Sequence, residues 1–143
     1  MLSVVVPSLN ERENLERLIP LIYDTVGLDS QVLIVDGPST DGTKDMVEKL
    51  REEYETLEYM KQTGKGFANA LREGLAAARG DVVVTMDAEN HDPHEIPKLL
   101  EKIREGFDVC VGGRFMKDSE VDLVLHRWAT TRIANKFVSS SLH

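Results

Sequence analysis

Residues 2–15 read LSVVVPSLNERENL, a short apolar run followed by a polar turn and the start of a differently patterned segment. A run of this length that is rich in β-branched residues is typical of a buried strand. From about Glu11 to Val26 the leucines and isoleucines recur at helical spacing, which indicates an amphipathic helix. The stretch therefore predicts a strand followed by a helix, with a polar turn between them.

The same alternation continues along the chain. Further strands are predicted at Gln31–Asp36, Leu57–Gln62, Asp81–Asp87 and Asp108–Gly112. Further helices are predicted at about Gly42–Tyr54, Gly66–Ala78, Asp92–Gly106 and Leu123–Val138. The strands are nearly continuous in Val and Ile, as in a parallel sheet covered on both faces. We therefore predict an α/β fold of three layers with a mostly parallel central sheet, in a single domain spanning residues 1–143.

Composition excludes several classes of protein. The chain has 143 residues, with 17 Lys+Arg against 25 Asp+Glu and a net charge of −8, so nucleic acid is not an expected partner. The single cysteine, Cys110, excludes an internal disulfide or a multi-cysteine zinc site, and we expect it to be a small buried hydrophobe. No apolar run approaches the roughly 18 residues of a membrane span. Without a basic stretch before residue 2 we expect no signal peptide, and hence a cytoplasmic chain.

Acidic residues follow three of the predicted strands. Glu11 comes after the first strand, Asp36 ends the second, and Asp87 ends the run that begins at Asp81. Ligands of an open parallel sheet bind at the carboxyl ends of the strands, where these loops converge. Anions gathered in one cleft repel one another unless a cation neutralises them. The pattern therefore favours a divalent cation at this edge of the sheet.

Asp87, Glu89 and His91 are spaced two residues apart, so in an extended segment they point to the same side. Two carboxylates suit Mg²⁺ or Mn²⁺, and His91 as a third ligand would favour Mn²⁺. The alternative is that Asp87 and Asp92 cap the helix that follows while Glu89 is merely solvated. The start of that helix is sharply marked, because Asp92 is followed by Pro93 at the first helical position. His94 is expected on the surface.

The sequence Gly64-Lys65-Gly66 also has two interpretations. It matches neither a P-loop, which needs Ser or Thr after the lysine, nor a dinucleotide fingerprint. One interpretation is a loop leading into a helix. The other is an anion site, in which backbone N–H groups at the helix start act together with the cation of Lys65.

Taken together, these loops resemble the family 2 glycosyltransferases of GT-A fold, especially the dolichol- or polyprenyl-phosphate mannosyl- and glucosyltransferase branch. The resemblance runs from Leu2 to about Lys136 and depends on five motifs in order. The motifs are PSLNEREN at 7–14, VDGPSTDGT at 35–43, GKGFANALREG at 64–74 with ARGD at 78–81, DAENHDPHE at 87–95 and GGRF at 112–115.

The resemblance implies a Rossmann-like nucleotide-sugar-binding domain and a GDP- or UDP-sugar donor. Four residues would border the base and ribose, with Lys65 nearby. They are Pro7, Leu9, Glu11 and Asp36. Asp87 and Glu89, with Ala88 between them, would hold Mg²⁺ or Mn²⁺ on the diphosphate, where the metal acts as a Lewis acid. His91 stands where the family often has Gln.

On the acceptor side, the resemblance implies a polyprenyl phosphate at a membrane surface, and so a chain peripheral to the cytoplasmic face. The nucleophile would be a phosphate oxygen of this acceptor, which is already an anion and needs no strong general base to activate it. The implied catalytic residues are therefore Asp87, Glu89 and Arg114. Arg114, Arg127 and Arg132 would position that phosphate through two-pronged hydrogen bonds. For Arg127 and Arg132 the alternative is a solvated helix face.

The chain also departs from the family pattern. Leu9 replaces Tyr, Gly37 and Pro38 replace Asp and Gly, and Glu89 replaces the second Asp. Residues 1–115 would form the nucleotide-sugar and metal core, and 116–143 a short acceptor-side loop and helix that is truncated relative to the family. Activity would then require a homo-oligomer, a partner chain or a membrane surface.

The function expected is an inverting, metal-dependent sugar transfer. The alternative is a non-catalytic nucleotide-sugar-binding module or subunit that retains only the donor half. A nucleotidyltransferase ranks behind both, because the first loop lacks the glycines and arginine expected for that chemistry.

Overall fold

The computed structural model of the chain describes residues 1–89 and 91–112. Met1–Cys110 form one compact unit. Strands and helices alternate along it in this order: β1 Leu2–Ser8, α1 Arg12–Val26, β2 Gln31–Asp36, α2 Thr43–Leu50, β3 Leu57–Lys61, α3 Phe67–Ala77, β4 Val82–Thr85, a 3₁₀ turn at Pro93–Glu95 and α4 Ile96–Arg104. The predicted α/β alternation is confirmed for this part of the chain.

The four strands form one parallel sheet in the order β3-β2-β1-β4. Ser8 of β1 lies opposite Asp36 of β2, and Asp36 lies opposite Lys61 of β3. On the other side of β1, Val5 lies opposite Thr85. The carboxyl ends of β1, β2 and β3 therefore stop at the same level, and the loops that follow them share one edge.

Helices cover both faces of the sheet. On one face, alternate residues of β1 and β2 pack against α1, α2 and α4 in a single buried cluster that includes Val4, Ile34 and Ile19. On the other face, Val5 and Val35 pack against α3. The continuous Val and Ile runs of β1 and β2 are buried for this reason, as expected for the centre of a parallel sheet.

The start of the last described helix follows the signals in its sequence. Asp92 has extended backbone angles, and its side chain accepts a hydrogen bond from the backbone N–H of His94 at 3.0 Å. Pro93 follows as the first residue of the 3₁₀ turn, where its missing N–H costs nothing. Gly106, with φ of +102°, ends the segment as predicted.

The predicted strand at Asp108–Gly112 is wrong, because these residues form no strand in the structure. Val109 is 76% exposed and Val111 is 80% exposed, while Cys110 is half-buried rather than buried in a strand. β-Branched residues favour a strand only when a partner strand and a covering layer are present. Within residues 1–89 and 91–112, this segment has neither, and β4 is the edge of the sheet.

The predicted helix at about Leu123–Val138 and the division at residue 115 lie outside the described residues. Within the described part of the chain, the helices are too short or too polar to cross a bilayer.

Candidate functional site

The loops after β1 and β2 are tied together by hydrogen bonds. The N–H of Asn10 donates to Ser39 Oγ at 2.8 Å, and the N–H of Thr40 donates to Asn10 Oδ1 at 2.8 Å. The N–H of Arg12 donates to Asp41 Oδ2 at 3.0 Å. Asn10 has φ of +56°, a left-handed conformation that asparagine adopts more readily than most residues. The two loops therefore form one surface, held together by hydrogen bonds, at the edge where the strands end.

Asp36 lies buried below this surface, with 1% of its area exposed. Ser39 Oγ donates to its Oδ1 at 2.7 Å, and the Tyr59 hydroxyl donates to its Oδ2 at 3.0 Å. Burial, together with the hydrogen bond to Asp36 and its charge, raises the pKa of Tyr59 to about 12. A carboxylate with both oxygens held by hydroxyl groups has a fixed orientation, and each oxygen still has a lone pair for another donor.

The sequence predicts Asp36 as a site residue but not Ser39 and Tyr59, the two residues that hold it. Ser39 could have been found, because a serine three residues after an aspartate at a strand end is placed to fold back onto it. Tyr59 gave no such signal. It lies 23 residues from Asp36 along the chain, and only the pairing of β2 with β3 brings the two together.

Two departures from the family pattern lie side by side. A Cβ atom on Gly37 would stand 3.1 Å from Leu9 Cδ1, so the leucine covers the position where a side chain at residue 37 would begin. Leu9 is itself 54% exposed. This part of the candidate site thus presents a leucine to solvent, next to Gly37, which directly follows the buried Asp36 in the sequence.

The other predicted donor-side residues lie around the same edge. Pro7, opposite Val35 in the sheet, is buried. Glu11 is the residue before α1, and its Oε2 accepts a hydrogen bond from Asn14 Nδ2 at 2.6 Å. Lys65 is exposed in the loop between β3 and α3. That loop begins at Gln62, whose N–H donates to the carbonyl oxygen of Asp36 at 2.8 Å.

The predicted metal ligands follow β4. The backbone N–H of Asp87 donates to His91 Nδ1 at 2.6 Å, and the same ring nitrogen lies 3.9 Å from Asp87 Oδ2. A neutral imidazole that accepts at Nδ1 carries its proton on Nε2, so neither nitrogen offers a free lone pair to a metal. Ligation by His91 therefore requires that the hydrogen bond to Asp87 be broken.

Among residues 1–89 and 91–112, no three His, Cys, Asp or Glu side chains are grouped so that they could hold a metal ion. The donors that fit a hard divalent cation are the carboxylates of Asp87, which is 43% exposed, and Glu89. Mg²⁺ and Mn²⁺ keep several positions for water and substrate phosphate, so two protein oxygens suit them. Ala88, between the two acids, is buried.

The alternative interpretation, in which Asp87 and Asp92 cap the following helix, holds for only one of the two acids. Asp92, and not Asp87, is the residue that caps the turn at Pro93–Glu95. The hydrogen bonds from His94 lower the pKa of Asp92, as expected for a capping carboxylate. His94 is exposed on the surface, as predicted, with its Nδ1 2.7 Å from Asp92 Oδ1.

Arg114, Arg127 and Arg132 lie outside the described residues. Their assignment to an acceptor phosphate remains a prediction.

Comparison with known proteins shows which sequences this chain resembles. The family model described as glycosyl transferase family 2 matches residues 3–140. The chain is 38% identical over 122 residues to a dolichol-phosphate mannosyltransferase of Pyrococcus furiosus, covering 84% of this chain and 35% of the relative. It is 32% identical over 145 residues to an undecaprenyl-phosphate 4-deoxy-4-formamido-L-arabinose transferase of Enterobacter sp., covering 97% of this chain and 43% of the relative.

Solved structures include similar folds. A mannosyltransferase from Pyrobaculum calidifontis in complex with GDP-Man and Mn²⁺ has a TM-score of 0.57 at 34% identity, over 62% of this chain and 27% of that one. Glucosyl-3-phosphoglycerate synthase from Mycobacterium tuberculosis, in complex with Mn²⁺, UDP and glucosyl-3-phosphoglycerate, has a TM-score of 0.60 at 27% identity, over 72% of this chain and 39% of that one.

This chain spans between 35% and 43% of the length of the two curated relatives described above. The parallel sheet with helices on both faces is the Rossmann-like arrangement of the GT-A glycosyltransferases. Because the family model matches almost the whole chain, from residue 3 to residue 140, the chain belongs to glycosyl transferase family 2.

Proposed function

We propose that the chain binds a GDP- or UDP-sugar and contributes to the metal-dependent, inverting transfer of the sugar to a polyprenyl phosphate. One observation carries the proposal. Three neighbouring parallel strands end at one edge of the sheet, where the last residue of β2, Asp36, has a buried carboxylate. The loops that follow β1 and β3 add the exposed side chain of Leu9 and the cation of Lys65. A nucleotide presents an N–H-bearing base, an apolar ring face and an anionic diphosphate, which these groups complement.

In this proposal each group has a separate role. Asp36 accepts a hydrogen bond from the base or ribose, while Leu9 covers an apolar face of the nucleotide, with Pro7 and Glu11 alongside. Lys65 neutralises charge on the diphosphate. Asp87 and Glu89, on either side of Ala88, would hold Mg²⁺ or Mn²⁺, which supplies Lewis-acid stabilisation of the departing nucleoside diphosphate.

The acceptor side of the proposal is supported by two relatives, whose names contain dolichol phosphate and undecaprenyl phosphate. An acceptor of this class is held in a membrane, and we propose that the chain acts as a peripheral protein at the cytoplasmic face. Arg114, Arg127 and Arg132 are proposed to bind the acceptor phosphate. A second copy or a partner chain is proposed to complete the acceptor side.

Calorimetric titration of UDP and GDP, with and without Mn²⁺, tests the donor half. We expect one of the two nucleotides to bind, and Asp87→Asn to remove most of the increase in affinity that Mn²⁺ causes. Glu101→Gln is the matched control, because Glu101 is an exposed acid of α4. Failure of both nucleotides to bind in the presence of Mn²⁺ would overturn the proposal. Binding whose dependence on Mn²⁺ is unchanged in Asp87→Asn would overturn the assignment of the metal to Asp87.

The departures at Leu9 and Gly37 favour a second candidate, a nucleotide-sugar-binding module without transfer activity. It also predicts nucleotide binding, so a turnover assay has to separate the two candidates. We expect Mn²⁺-dependent release of nucleoside diphosphate when GDP-mannose or UDP-glucose is mixed with a polyprenyl phosphate. Tight binding of the nucleotide with no release would instead support the second candidate.

A further inference from the structure

Lys65 lies in a loop that is held on both sides of it. On one side, the N–H of Gly64 donates to Glu73 Oε1 at 3.2 Å. On the other side, Gln62 Nε2 donates to the carbonyl oxygen of Gly66 at 2.7 Å. The same Gln62 attaches the loop to the end of β2 through the carbonyl oxygen of Asp36. The backbone around Lys65 is therefore anchored to α3 and to the strand that carries Asp36.

Glu73 is the main anchor, although it lies in the second turn of α3. Its carboxylate accepts three hydrogen bonds from the loop, namely from Thr63 N–H at 2.9 Å, Thr63 Oγ1 at 2.5 Å and Gly64 N–H at 3.2 Å. A fourth comes from Asn69 Nδ2 of α3, at 2.7 Å. These hydrogen bonds lower the pKa of Glu73 to about 2, and the bond from the Thr63 hydroxyl has the largest effect. Glu73 is therefore an anion at neutral pH, and its oxygens are occupied by the loop.

The loop also lies close against the first turn of α3. A Cβ atom on Gly64 would stand 2.5 Å from Asn69 Nδ2, so only glycine fits at that position without a shift of Asn69. Asn69 is itself held between two side chains, since its Oδ1 accepts from Arg72 Nη2 at 2.8 Å and its Nδ2 donates to Glu73. Side chains of α3 therefore help to determine the position of the loop, together with Gln62 and Thr63 of the loop itself.

We propose that Glu73 is a positioning residue, which holds the Thr63–Gly64 backbone so that Lys65 is presented to the diphosphate of the nucleotide. This inference rests on the proposed function. A loop that is ordered before the ligand arrives loses less conformational entropy on binding, and the affinity is correspondingly higher. Glu73 acts here through Lys65 and does not itself contact the nucleotide.

The sign of the effect makes the proposal testable. If Glu73 acted only as one more negative charge near a diphosphate, its neutralisation in Glu73→Gln would strengthen binding. If it positions Lys65, the same substitution weakens binding, because the amide is a poorer acceptor and one of its two oxygens is lost. The two roles therefore predict opposite changes in the dissociation constant.

The experiment is calorimetric titration of UDP and GDP in the presence of Mn²⁺, with wild type, Glu73→Gln, Lys65→Ala and the double variant. We expect Glu73→Gln to weaken binding by about tenfold, which corresponds to roughly 1.4 kcal/mol. In the Lys65→Ala background the same change should add less than about twofold, because the residue through which it acts is gone. Glu101→Gln is again the control and should bind like wild type.

A second measurement follows the loop without any ligand. In Glu73→Gln we expect the amide hydrogens of Thr63 and Gly64 to exchange about tenfold faster, while the amide of Gln62, which donates to Asp36, keeps its protection. Thr63→Val removes one hydroxyl donor and leaves the carboxylate in place. It should change both readouts in the same direction as Glu73→Gln, but less.

Unchanged or tighter nucleotide binding by Glu73→Gln would overturn the inference, and so would full additivity with Lys65→Ala. In either case the wild type still binds nucleotide and the proposed function stands. A wild type that binds neither nucleotide overturns the proposed function, and the inference with it.

Discussion

Asp36 shows how a single buried carboxylate is held by residues from different parts of the chain. Ser39 reaches it from the loop directly after β2, whereas Tyr59 reaches it from the neighbouring strand β3. A buried anion without such donors would be strongly unfavourable. The two hydroxyl groups therefore stabilise the fold as well as orient the acid that is proposed to contact the nucleotide.

Replacement of Tyr59 by Phe is expected to lower the free energy of unfolding by about 1 to 3 kcal/mol, because it removes one donor from a buried acceptor and leaves the packing unchanged. Urea denaturation measures the effect. Tyr54→Phe is the matched control, since the Tyr54 ring stacks on Tyr23 at 4.5 Å in a similar half-buried position and does not hold Asp36. Equal losses in the two variants would contradict the assigned role of Tyr59.

Glu73 gives a prediction about pH. Its pKa is about 2 in the folded chain, below the value near 4.3 expected for an unfolded glutamate. Its contribution to stability is therefore complete above about pH 4.5 and is lost as the pH falls towards 2. In urea titrations from pH 7 down to pH 3, we expect the stability difference between wild type and Glu73→Gln to narrow as the pH falls. A difference that is independent of pH would show that the charge of Glu73 is not involved.

At the scale of elements, α3 packs on the sheet through a glycine. A Cβ atom on Gly74 would stand 2.3 Å from Val5 Cγ1 and 2.9 Å from Val35 Cγ2. Val5 and Val35 lie in the two central strands, and their side chains are fully buried. In a close-packed interior they have no space to move into. The distance between α3 and the sheet, and with it the position of the Lys65 loop, therefore depends on this glycine.

Gly74→Ala is expected to destabilise the fold by about 1 to 3 kcal/mol, because overpacking forces the helix away from the sheet. Helix propensity alone predicts the opposite sign, a gain of about 1 kcal/mol. Thermal or urea unfolding decides between them. Gly112→Ala is the control, since no atom of residues 1–89 and 91–112 lies within 4 Å of a Cβ atom at that position. A more stable Gly74→Ala variant would show that α3 does not pack this closely.

At the scale of the whole molecule, a net charge of −8 makes the placement of acids informative. Electrostatic repulsion would disperse acids over the surface, yet Asp36 ends β2 and Asp87 follows β4, the two strands on either side of β1. The sheet order β3-β2-β1-β4 makes this possible, because the first strand of the chain is placed between the other two. In the proposed function the donor-side residues all precede residue 95, and the acceptor side is proposed to lie on later residues or on another chain.

Much of the fold follows from local sequence patterns. The bounds of β2 are those predicted, α1 begins within one residue of its predicted start, and the cap at Asp92 was visible from the Asp-Pro pair. That Asp108–Gly112 forms no strand could not be predicted in this way. Its valines have the required propensity, but a strand exists only where another strand pairs with it, and that depends on residues far away in sequence.

The candidate site divides in the same way. The acids after the strands, the glycines around Lys65 and the order of the motifs were all visible in the sequence. The tautomer of His91 could not be predicted from the sequence, because it depends on a hydrogen bond from the backbone of Asp87 in a folded turn. Nor could the roles of Tyr59 and Glu73, since each acts on a residue in a different segment.

The sequence by itself determined the alternation of strands and helices, the family and the set of polar residues at the strand ends. These depend on periodicity, capping and turn residues, whose physical causes act over a few positions along the chain. The tertiary structure alone decided which hydroxyl groups hold Asp36, which acid holds the Lys65 loop and which apolar run remains unpaired. Those outcomes depend on strand register and on the approach of α3 to the sheet, which are set when distant segments pack together.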